Sequence, residues 1–73
     1  MTKLEQKLIE LGYEYSASVT FIASKITIKH YSKQVGENEF NKILITKEGI
    51  YQTRALDEEV MQKDLEVLKE YET

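Results

Sequence analysis

Lys25, Lys29 and Lys33 recur at intervals of four residues in the stretch KITIKHYSK, with Thr27 and Tyr31 between them. Side chains alternate faces along an extended strand. These five residues therefore share one side, and Ile26, Ile28 and His30 share the other. Cations with an aromatic ring among them are the chemistry by which a sheet holds single-stranded nucleic acid: the charge follows the phosphates and the ring stacks on a base. Tyr15 or Tyr51 would join the row if the strand registers bring them there. The same residue types also make an ordinary solvated strand face, and lysine on an edge strand discourages sheet-to-sheet pairing. The expectation is a wet lysine–tyrosine face, with Lys25, Lys29, Tyr31 and Lys33 as the candidate partner-binding residues and the isoleucines turned to the core.

Other chemistry has fewer residues to work with. His30 is the single histidine and there is no cysteine, so a nucleophile, base and orienting acid would have to be assembled around one imidazole. In phase with Ile26 and Ile28, His30 reads as a histidine at the core edge. No set of His and carboxylate ligands at metal spacing is evident, and no glycine-rich phosphate loop occurs. The acids Asp57, Glu58, Glu59, Asp64, Glu66, Glu70 and Glu72 read as the wet side of an amphipathic helix, able to meet a basic partner. No catalytic residue, cofactor or metal is expected.

The elements that would position these residues follow from period and punctuation. Thr2-Lys3-Leu4-Glu5 fits a capping box, Leu4, Leu8 and Leu11 recur at helical spacing, and Gly12 stands where a left-handed residue ends a helix. The spacing predicts a helix over 3–11. From Tyr13 the period becomes two. A short strand, a turn at Ser16-Ala17-Ser18 and a longer strand from Val19 to Tyr31 are expected, with a break or a bulge at Ala23-Ser24-Lys25 where the apolar parity shifts. A loop over 32–38, strands over 39–46 and 50–53, and a glycine turn at Lys47-Glu48-Gly49 complete the sheet. Asp57 caps a final helix with Glu58 and Glu59 in its first turn, and Leu56 and Met61 have the spacing of a hydrophobic staple. Val60, Met61, Leu65, Leu68 and Tyr71 make its apolar stripe.

The expected fold is α+β, in the order α-β-β-β-β-α: an antiparallel meander of three to four strands with both terminal helices packed on one face. At 73 residues the chain makes one domain, 1–73. A hydrophobic fraction of 41% supports a core, and the lack of proline argues against disorder. The net charge of −3 divides into a mildly basic 13–54 and an acidic 55–73. That acidity lowers the prior for nucleic acid, and the basic middle keeps it open. No run approaches the roughly 18 apolar residues of a membrane span, and no export leader is read at the N-terminus, so a cytoplasmic location without membrane association is expected.

The opening MTKLEQKLIELGYEY resembles the start of small uncharacterised proteins encoded by phages and prophages of Gram-positive bacteria, and the closing DLEVLKEYE resembles their acidic last helix. The resemblance implies an accessory protein of a mobile element that works by binding macromolecules, and it carries over no catalytic residue. The expected function is non-enzymatic interaction with an unidentified protein partner. The alternative is a single-stranded nucleic-acid-binding module using Lys25 to Lys33. A homodimer would suit so small a chain.

Overall fold

The computed structural model describes residues 2–71. The elements are α1 (Lys3–Glu10), β1 (Glu14–Phe21), β2 (Ile26–Gly36), β3 (Glu39–Thr46), β4 (Gly49–Arg54) and α2 (Glu58–Lys69). The strands form one antiparallel meander in the order β1-β2-β3-β4, and the fold is α+β.

Both ends of α1 are closed by local chemistry. Thr2 Oγ1 accepts from the Glu5 N–H at 3.1 Å, and Glu5 Oε1 accepts from the Thr2 N–H at 3.4 Å. At the other end Gly12 takes φ +98°, the Tyr13 N–H donates to Leu8 O at 2.9 Å and the Gly12 N–H to Ile9 O at 3.0 Å. This paired closure turns the chain sharply and drops Tyr13 beside Leu8, where both are buried. α2 starts at Asp57, whose Oδ1 accepts from the Val60 N–H at 3.1 Å. Leu56, before the cap, is 43% exposed, and Met61 is fully buried.

The helices lie on one face of the sheet, since Glu5 of α1 meets Lys29 and Asp64 of α2 meets Lys33, two residues on the same side of β2. The core between them is Leu8, Tyr13, Tyr31, Ile43, Met61 and Leu68.

The first hairpin differs from the expected one. β1 runs unbroken through Ser16-Ala17-Ser18, and the irregularity there is a bulge between Tyr15 and Ala17. Of the break or bulge expected at Ala23-Ser24-Lys25, the structure has the break: this is the hairpin turn, closed by the Lys25 N–H donating to Phe21 O at 2.8 Å, with Lys25 at φ +58°. A turn and a bulge shift apolar parity alike, which is why the pattern alone left both open. The predicted loop over 32–38 is mostly strand: β2 continues to Gly36, and Glu37-Asn38 make the turn, with Asn38 at φ +58°.

Candidate interaction surface

The lysine–tyrosine row is turned inward. Tyr31 is 4% exposed and lies in the core, its ring centroid 5.7 Å from that of Tyr15 in an edge-on arrangement. Lys33 runs beneath α2 to Asp64 (Nζ–Oδ2, 3.0 Å), and Lys29 reaches Glu5 at 3.7 Å. Lys25 stands apart in the hairpin turn. The four residues expected to form one wet surface are thus divided between core, internal ion pair, surface ion pair and turn. The reason is the placement of acids: Glu5 and Asp64 on the helices give each lysine a terminus for its charge while its stem covers apolar surface.

Asp64 is the residue that sequence reasoning assigned wrongly, to the solvated acids. It is 5% exposed. The Tyr13 hydroxyl donates to its Oδ2 at 2.9 Å, and Lys33 Nζ donates to the same atom. Lys33 Nζ also sits 5.5 Å from the centroid of the Tyr13 ring, close enough for a cation–π contact. Burial first, then the hydrogen bond and negative charge of Asp64, push the Tyr13 phenol well above its ordinary range. β2, α2 and the connection between α1 and β1 meet in this cluster, and among the described residues no buried side-chain polar atom lacks a partner. The cluster ties α2 to β2 and to the start of the sheet.

A second buried polar residue was also missed. Asn41 is fully buried, donates through Nδ2 to Asp57 O at 2.9 Å and accepts at Oδ1 from the Asp57 N–H at 3.0 Å. One side-chain amide thereby fixes where α2 begins. The signal in the sequence was phase: Asn41 alternates with Ile43 and Ile45, and Asp64 falls between Met61 and Leu68 on the helix stripe.

What remains of the predicted surface is a shallow hollow of about 330 Å³ between α1 and the sheet, lined by Glu5, Ile9, Tyr15, Lys29 and Tyr31. Burial raises the Glu5 carboxyl, but hydrogen bonds with Thr2 and the Lys29 charge outweigh it and leave Glu5 below its usual range. Burial, followed by the Glu5 and Tyr15 charges and a hydrogen bond to Glu5, raises the Tyr31 phenol.

Among the described residues no helix lies on the other face of the sheet. Its rows follow from the register. Nearest the turn, Phe21 stands opposite Ile26, and Val19 opposite Ile28. The next row is Ala17, His30, Leu44 and Tyr51, followed by Glu14, Ser32, Lys42 and Arg54. His30, expected at the core edge, is therefore on this open side, half-buried among apolar neighbours. Val19, Phe21, Phe40 and Tyr51 are exposed, Tyr51 at 49%. Pairing of β2 with β3 begins only at Lys29, so the hairpin beyond it is a two-stranded arm, tipped by Ile22 at 90% exposure.

Among the described residues no group of three or more His, Cys, Asp or Glu is placed to hold a metal ion, and no helix is long and apolar enough to cross a membrane. No family model, curated protein or solved structure matches the chain.

Proposed function

We propose that this is a small non-enzymatic binding protein whose contact surface is the open, apolar face of its sheet. The observation that carries the reading is the inversion of β2: its lysines and tyrosine are spent on the covered side, while Ile26 and Ile28 face outward opposite Phe21 and Val19. Val19, Phe21 and Tyr51 are exposed there and Ile26, Ile28 and Leu44 are half-buried, a run of apolar side chains that ends at the row of Glu14, Lys42 and Arg54. An exposed apolar patch rimmed by polar residues marks an interaction site on a soluble protein. A protein partner suits such a surface, because well-packed aromatic and aliphatic anchors dominate protein contacts. The resemblance of the first fifteen residues to phage-encoded proteins supports an accessory role in the cytoplasm of a host cell.

A photo-crosslinking residue at position 51, compared with one at Glu66 on the outer side of α2, tests this reading in cells producing the protein. The expected result is protein adducts from position 51 and none from position 66. Adducts from neither position, or equally from both, would overturn it.

A nucleic-acid reading retains one specific support, on different residues from those expected. Lys42 and Arg54 stand opposite each other on the open face, one row from Tyr51. Stacking on Tyr51 with phosphates on these two cations would give salt-sensitive binding of single strands, lost in Arg54→Glu and kept in Lys29→Glu. Fluorescence anisotropy with labelled single-stranded RNA and DNA decides it.

A further inference from the structure

Among the described residues β1 is an edge of the sheet, paired with β2, and all eight of its residues are exposed. An edge strand offers a row of unpaired N–H and C=O groups to any passing chain, and proteins guard such edges with lysine, proline, short length or a bulge. The lysines suited to that duty lie on β2, an interior strand. From Tyr15 to Phe21 the edge itself has neither charge nor proline. Its one guard is the bulge at Ser16, which leaves Ala17–Phe21 regular. The opposite edge, β4, is shorter, ends in Arg54 and is irregular where it pairs with Lys42 and Ile43.

We propose that the Ala17–Phe21 edges of two copies pair antiparallel about a two-fold axis at Val19, joining two four-stranded sheets into one of eight strands. In that register Val19 faces Val19 of the second copy, Ala17 faces Phe21, and Ser18 faces Thr20. On the open side a small residue makes room for an aromatic one, and a β-branched pair sits on the axis. On the other side hydroxyl meets hydroxyl, the type of contact Thr20 already makes with Thr27 at 3.1 Å. No like charges stand opposite each other.

The neighbouring registers are poorer. An axis at Ser18 sets Tyr15 against Phe21, whose side chains leave opposite faces because of the bulge. An axis at Thr20 runs the pairing into the turn at Ile22. This self-complementarity is what selects a second copy over a foreign strand. Pairing also stiffens the arm, since a two-stranded ribbon is marginal in water alone. The inference stands apart from the occupant of the open face, which remains uncovered in the dimer.

Sedimentation velocity from about 5 to about 500 µM tests it, a range suited to weak, micromolar association. The wild type is expected to pass from the 8.5 kDa chain to twice that mass. Val19→Lys and Val19→Glu are each expected to remain monomeric, with unchanged far-ultraviolet circular dichroism, because each sets like charges on the axis. Mixed in equal amounts they are expected to recover the dimer. A wild type that stays monomeric throughout would overturn the proposal. So would a dimer that survives both single variants, or one abolished by Tyr51→Lys, which would signify face-to-face association. Failure of the mixture to associate would overturn the Val19 register. A monomeric wild type that still crosslinks to another protein from position 51 would leave the proposed function standing.

Discussion

Each face of this sheet holds residues that by type belong on the other. On the covered face, Tyr31, Lys33 and Asn41 lie under the helices, each tied to another element by a hydrogen bond, ion pair or ring contact. On the open face, Val19, Phe21 and Tyr51 meet solvent and Ile28 is only half-buried. A buried polar residue is stable when each of its polar atoms has a partner, and the covered face meets that condition through Asp64, Glu5 and Asp57. An exposed apolar residue needs no partner in order to fold. The difference teaches that polarity alone does not say which side of a strand is inside; the chemistry waiting on the helices decides it.

The largest predicted effect contrasts adjacent residues of β3. Ile43→Ala on the covered face should cost about 3–4 kcal/mol in urea unfolding, whereas Leu44→Ala on the open face should cost about 1 kcal/mol or less. Equal costs would break the assignment of faces. Next comes Lys33→Met, which leaves the Asp64 carboxylate without its cation. Lys33 is partly exposed, so the loss should be about 2 kcal/mol rather than the full cost of stranding a buried charge, and adding Asp64→Asn should recover most of it.

A smaller effect is alkaline. The Tyr13 phenol is raised in the folded chain, so the neutral form is favoured there. Its contribution is fully present below the unfolded value of 10.0 and is lost as pH rises above it toward the folded value. Urea midpoints measured from pH 8 to pH 11 should fall at the alkaline end, and fall less in Tyr13→Phe. Smallest of all, Tyr51→Lys should leave stability within about 0.5 kcal/mol of wild type while abolishing adducts from a photo-crosslinking residue placed at Phe21, exposed on the same face.

The helices were legible because their signals are local. Thr2, Glu5, Gly12 and Asp57 act within a turn of their own position, and each does what its type and spacing imply. The element order and the antiparallel meander followed from short connections. The first hairpin was not legible, since Ala23-Ser24-Lys25 shifts parity as a turn just as it would as a bulge. Nor was the candidate surface: inward lysines are explained only by Glu5 and Asp64, which are distant in sequence from Lys29 and Lys33. Asp64 and Asn41 did carry a readable sign, the first in its phase with Met61 and Leu68 and the second in its alternation with Ile43 and Ile45.

The central claim, that β2 turns its tyrosine inward and leaves Tyr51 on an open contact face, is tested most directly by nitration of tyrosines mapped by mass spectrometry. In the folded chain Tyr15 and Tyr51 should be modified, and Tyr13 and Tyr31 protected until the protein is unfolded. When a partner is bound, Tyr51 should become protected as well. Ready nitration of Tyr31 with Tyr51 protected in the free chain would contradict the account, because it would return the lysine–tyrosine row to the surface.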